Sequence, residues 1–159
     1  MTVQEQLKYI NKECKTKYTS LNEVEWGYIS AEKELSEDFI RKFYDKVDWH
    51  WITQKQILSE NFIREFQYSV HWIYIASHQK LSEDFIREFQ DKLDWFWISN
   101  RQKLSEDFIR EFQDKVDWYW ISLCQNLSES FIREFKDKID WYSLFSNKHF
   151  KQSIINYFN

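Results

Sequence analysis

Along residues 35–149 the apolar positions return with a fixed period of 23 residues. The units begin at Leu35, Leu58, Leu81, Leu104 and Leu127, with no insertion or deletion between them. Counting the leading Leu as repeat position 0, positions 0, 4, 5, 8 and 12 are apolar in every copy, as Leu81, Phe85, Ile86, Phe89 and Leu93 are in the third. Steps of four, one, three and four place them on one side of a helix. Ser82 at position 1 is a good N-cap, and Glu83 and Asp84 put negative charge on the first turn, where the helix dipole favours it.

The second half of the unit repeats the same grammar. Asp94 caps a helix that starts at Trp95. A strand competes for DWFWIS, because Trp, Phe and Ile favour sheets. Comparison of the copies decides it. Positions 14, 17 and 21 hold Trp, Ile or Leu, and mostly Gln, whereas positions 15, 16, 19 and 20 change. Fixed positions three and four apart opposite a varying face are helical; a strand would alternate. Each unit is therefore expected to hold two short helices.

A fixed period of 20 to 50 residues marks a stacked repeat protein, whose units bury their apolar sides only against neighbours. The expected fold is all-α, an α-solenoid filling residues 1–159 as a single repeat domain. Residues 1–34 would supply an N-terminal cap. Val3, Leu7, Ile10 and Cys14 form a helical stripe there, with Thr2 and Glu5 at capping-box spacing. Val24, Trp26, Tyr28 and Ile29 then match positions 12, 14, 16 and 17 as a degenerate half-repeat. Residues 35–149 would be five full repeats. Residues 150–159 would close the stack, since Phe150, Ile154, Ile155 and Phe158 match positions 0, 4, 5 and 8.

Composition narrows the function more than the fold. With one Gly and no Pro, a loop-rich or β-rich architecture is disfavoured. The net charge of −4 is an alternation of signs without a basic face, which argues against nucleic-acid duplex binding. Cys14 and Cys124 are too few for a disulfide framework and fit a reducing compartment. No apolar run approaches the roughly 20 residues of a membrane span, and the N-terminal stretch does not read as a signal peptide. An intracellular protein without membrane contact is the expectation.

The string LSEDFIREFQDKVDW, followed by WIS and a Gln, resembles the tandem 23-residue repeats of proteins encoded by giant and other large DNA viruses. The likeness covers residues 35–149. It implies a viral, AT-rich source, hence a host cytoplasm as the setting, together with a helical stack. It brings no catalytic residues.

Candidate chemistry is sparse. Arg41, Arg64, Arg87, Arg110 and Arg133 recur at position 6 and would form a ladder. A Glu four residues before and usually an Asp four residues after offer each an exposed ion pair, worth about 0.2–0.5 kcal/mol. The four histidines have no zinc spacing, and no nucleophile triad or phosphate loop stands out. The chain is expected to be non-enzymatic and to need no cofactor or metal.

The stronger lead is the varying face of the second helices. Position 16 carries Tyr28, Trp51, Tyr74, Trp97, Trp120 and then Ser143, and position 15 includes His50, Phe96 and Tyr119. Lys55, His78 and Arg101 stand at position 20. A constant scaffold with one diversified, aromatic-rich face is how repeat proteins build recognition surfaces, and Tyr, Trp and Arg are enriched in binding hot spots. The leading expectation is a host or viral protein partner held by ten of these residues: Trp51, Tyr74, Trp97, Trp120, His50, Phe96, Tyr119, Lys55, His78 and Arg101. Two alternatives stay open: a nucleotide-like aromatic ligand sandwiched by the same rings, and a homodimer that covers the ribbon. Position 16 could also be core, wedged between repeats.

Overall fold

The computed structural model describes residues 1–150. Ile154, Ile155 and Phe158, expected in a closing half-repeat, lie outside the described residues. The chain is an α-solenoid of two-helix repeats in two compact units, Met1–Ile75 and Ala76–Asn159. No strand occurs among the described residues.

The first unit opens on α1 (Val3–Cys14), where Thr2 and Glu5 form a reciprocal capping box. Leu7, Ile10 and Cys14 are buried, but Val3, the first residue of the expected stripe, is exposed. α1 stops at Lys15, whose φ of 53° turns the chain left-handed. A short 3-10 turn (Leu21–Glu23) leads into α2 (Trp26–Glu32). The repeats follow: α3 (Glu37–Lys42) and α4 (Trp49–Lys55), then α5 (Glu60–Glu65) and α6 (Trp72–His78), within which the unit boundary falls. The second unit continues with α7 (Glu83–Glu88), α8 (Trp95–Arg101), α9 (Glu106–Glu111), α10 (Trp118–Cys124), α11 (Glu129–Glu134) and α12 (Trp141–Ser146).

The first helix of each repeat is shorter than the apolar stripe suggests. It covers six residues, with the position 1 Ser hydroxyl accepting from the backbone N–H of the position 4 Phe. The stripe carries on through a turn: Lys92 and Leu93 both donate their N–H to the carbonyl of Phe89. That turn delivers positions 8 and 12 to the core without a continuous helix. Helices this short are not stable alone, so their stability comes from packing. The Phe at position 4 is 0% exposed in all five copies, and so is the Ile at position 5 in the first four.

Two hydrogen-bond systems and one ring contact join neighbouring repeats within each unit. The position 21 Gln is the most consequential. Gln102 donates through Nε2 to the carbonyls of Ala76 (2.9 Å) and Gln79 (2.8 Å), and its Oε1 accepts from Leu81 N–H (3.1 Å). Gln56 does the same with Ser30, Lys33 and Leu35, and Gln125 with Ser99, Gln102 and Leu104. The end of a helix leaves carbonyls without intrahelical partners, and this amide satisfies them from the next repeat.

A second link uses position 18. The hydroxyls of Ser30, Thr53, Ser99 and Ser122 accept from the backbone N–H of the residue 18 positions on: Asp48, His71, Asp117 and Asp140. Ala76 occupies this position in the second copy and has no hydroxyl to offer Asp94. The third link is the position 14 Trp. Its indole N–H donates to the carbonyl five residues earlier, as Trp95 does to Gln90. Its ring packs on two Phe rings of the next repeat, 6.2 Å from Phe108 and 5.0 Å from Phe112 for Trp95. An unchanging Trp on the same helical side as the position 17 Ile or Leu reads as core. Trp49, Trp95 and Trp118 are instead half-buried, because each covers the flank of the next first helix and turns one edge to solvent; Trp72 is half-buried as well, and Trp141 is exposed.

The arginine ladder is part of the same scaffold. Arg41, Arg87 and Arg110 reach the position 7 glutamate of the following repeat, at 2.8 Å for Arg41–Glu65 and Arg87–Glu111. Each guanidinium also lies about 5 Å over the next repeat's position 4 Phe ring. The expected glutamate four residues earlier is a partner, but the position 10 aspartate is not. Asp91 and Asp114 instead pair with the next repeat's lysines, Lys115 and Lys138.

In the fifth copy the second helix is one residue short. Asn147, at position 20, takes the place of the Gln and donates to the carbonyls of Ser122 and Gln125, both at 2.8 Å. Its Oδ1 accepts from His149 and Phe150 N–H, so it caps a helix that resumes at Lys148, ahead of the expected start. The shift carries Ser143 into the core.

Candidate functional site

In the first four copies positions 14, 17, 18 and 21 of the second helix are committed to packing, which turns positions 15, 16, 19 and 20 to the other side. In the first unit, His50 sits edge-on between Trp51 (5.0 Å, 90°) and Tyr74 of the next repeat (5.1 Å, 88°). His71 joins this cluster, 5.7 Å from His50 and 6.1 Å from Tyr74. Lys55 lies over the Trp51 ring at 5.9 Å, and Lys33 over Tyr28 at 5.4 Å.

The second unit repeats the arrangement with larger rings. Phe96 stands perpendicular to Trp97 (5.0 Å) and to Trp120 (5.5 Å), and Tyr119 is perpendicular to Trp120 (5.0 Å). Edge-to-face geometry is what ring quadrupoles favour, and it locks each ring without burying it. Arg101 lies 5.8 Å over Trp97. Position 16 thus falls between the two expectations: Trp51, Tyr74, Trp97 and Trp120 are half-buried, held upright by the position 15 rings. Position 15 carries the exposure. Phe96 is 42%, Tyr119 47% and Ile73 50% exposed.

Nine of the ten candidate residues therefore fall into two ring clusters: Trp51, His50, Lys55 and Tyr74 in one unit, and Phe96, Trp97, Trp120, Tyr119 and Arg101 in the other. His78 is different. Its Nδ1 lies 2.7 Å from Ser77 Oγ, within hydrogen-bond distance, and it lines a cavity with Lys80, Arg101 and Lys103. Lys80 and Lys103 stand at position 22, whose variation among copies (Glu34, Ile57, Lys80, Lys103, Asn126) is the signal that could have found them.

Burial pushes the thiol pKa of Cys124, at position 20, up against the opposing pull of Arg101 and Lys148. Among the described residues no group of three His, Cys, Asp or Glu side chains gathers as a metal site, and no helix is long and apolar enough to cross a membrane.

Comparison with protein families, curated proteins and solved structures finds no match. The site has to speak through its own chemistry.

Proposed function

We propose that this chain is a non-enzymatic interaction module that grips a protein partner along the ribbon of position 15 and 16 rings. The observation that carries the reading is a division of labour. The constant position 14 and 21 residues are taken up by bonds and ring contacts between repeats and the position 17 residues by the core, while the residues that diverge at positions 15 and 20 are mostly exposed. Interleaved rings give a rigid apolar surface that loses little conformational entropy on binding, as aromatic hot spots do. Within each unit the rings interlock edge to face with one another rather than standing apart as two walls of a sandwich, which favours a protein over a small aromatic ligand. The repeat's likeness to those of large DNA viruses suits a host or viral partner met in the host cytoplasm.

The test has two stages. A photo-crosslinking amino acid at Tyr119 and, separately, at the exposed first-helix position Asp107 identifies what touches each side in the native setting. Affinity is then measured with the purified partner for Phe96→Ser with Tyr119→Ser, exposed changes that spare the half-buried tryptophans. Cross-linking of a distinct protein from position 119 and at least tenfold weaker binding by the double variant are expected. Cross-links to a second copy of this chain would replace the reading with self-association. Cross-links from position 107 alone would move the site to the first helices.

A further inference from the structure

A cavity of about 490 Å³ lies at the C-terminal ends of α6 and α8, between His78 and Lys80 of one repeat and Arg101 and Lys103 of the next, with the buried Gln79 and Gln102 beside them. Its lining includes no carboxylate, in a protein whose net charge is −4. Cations at helix C-termini often do no more than complement the dipole. The other copies argue against that explanation. At the same two positions they carry Glu32 and Glu34, Lys55 and Ile57, and Cys124 and Asn126. Those helices end equally well without a cationic pair, so the fold does not call for one here. The cavity at the ends of α1 and α2 makes the contrast direct, because Glu13, Glu32 and Glu34 line it beside Lys15 and Lys33.

The cations of this cavity are also disposed differently from those of the scaffold. Arg41, Arg87 and Arg110 at position 6 and Lys115 and Lys138 at position 11 are taken up by carboxylates of adjacent repeats. Among the described residues, Lys80, Arg101 and Lys103 enter no ion pair, and Arg101 rests on the Trp97 ring with its guanidinium beside the cavity. Three permanent cations and one imidazole converging on a single space match a group with two or more negative charges. Arg and Lys together are the usual donors to phosphate oxygens, Arg as a fork and Lys as a point charge.

We propose that this cavity is a phosphate-class anion site, taking a diphosphate or an equivalent multiply charged group whose carrier extends toward Trp97. The site stands independently of the protein partner proposed for the ribbon. Its test is isothermal titration with inorganic pyrophosphate at low ionic strength, on the whole chain and on two doubly neutralised variants. Arg101→Gln with Lys103→Gln is expected to weaken binding at least tenfold. Lys8→Gln with Lys12→Gln, which removes the same charge from α1, is expected to change it less than twofold. Tighter binding of adenosine diphosphate than of pyrophosphate supports the site with a nucleotide as carrier. Tighter binding of a phosphoserine peptide supports it with a modified protein segment. Equal weakening in both variants means diffuse counterion attraction and overturns the proposal, as does absence of saturable binding at millimolar pyrophosphate.

Discussion

Replacing Gln102 by Met keeps the length and volume of the side chain and deletes all three of its hydrogen bonds. The carbonyls of Ala76 and Gln79 and the N–H of Leu81 would lose the partner that the amide provides, at a site only 6% exposed. An unsatisfied buried backbone group costs about 1–3 kcal/mol. The Leu81 N–H would bear that cost in full, whereas a carbonyl with two lone pairs finds partial relief. A destabilisation of about 3–5 kcal/mol follows, or a loss of about 6–20 °C in Tm for a chain of this size. Urea and thermal unfolding followed by circular dichroism would measure it, with Gln90→Met as the half-buried control. Gln102→Glu gives a second readout. Its carboxylate would face two carbonyl oxygens, which raises the folded-state pKa above the unfolded one. The penalty is then present in full at neutral pH and relieved as pH falls through the raised value. A Gln102→Met midpoint equal to that of the control would refute the claim that these amides hold the repeats together.

Ser122→Ala removes an acceptor from Asp140 N–H (3.0 Å) and should cost about 1 kcal/mol by urea unfolding, while Ala76→Ser, which offers Asp94 N–H that acceptor, should cost nothing or stabilise. Deleting residues 81–103 should leave a folded, less stable helical protein by circular dichroism, because Gln125 then meets the carbonyls of Ala76 and Gln79 in place of those of Ser99 and Gln102; deleting 11 residues should not. Cys14 is 2% exposed, and burial raises its thiol pKa to about 11, so iodoacetamide at pH 8 should label Cys124 well before Cys14 in the native protein and both alike in urea.

The helices, their caps and their pairing were legible because each copy restates the same local rules: a Ser or Asp cap, charge on the first turn, and apolar residues at helical spacing. Internal repetition also separated fixed from varying positions without any other sequence. The extent of the first helix was not legible, since an α-turn can continue a helical stripe after the helix has stopped, as Phe89 shows. Nor was the position 14 Trp. An unchanging aromatic reads as core, but a ring that staples one repeat onto the next needs only one face covered. Position 21 was visible as a preference for Gln, yet its three-way bond joins groups more than 20 residues apart, a distance no local pattern encodes. Asn147 hid its role because a shorter helix moved it out of register.

That asymmetry bears on where function is sought in such a stack. Each copy meets the same neighbours, so whatever the interfaces require is repeated, and invariance among copies reports packing. A partner or ligand meets each copy once, at one place along the ribbon, and selects on that copy alone. The arginine ladder illustrates the first case: it is invariant, and it is engaged with Glu and Phe of the next repeat. The third copy illustrates the second. Compared with the fourth it differs at five positions, and four of them are Phe96, Asn100, Arg101 and Lys103, on the outward side and at the C-terminal end of one helix. Only Leu93, which faces the core as Val116 does in the fourth copy, lies elsewhere. The substitutions that set one repeat apart from its twin are thus concentrated where an exposed ring and an unpaired cationic cavity meet.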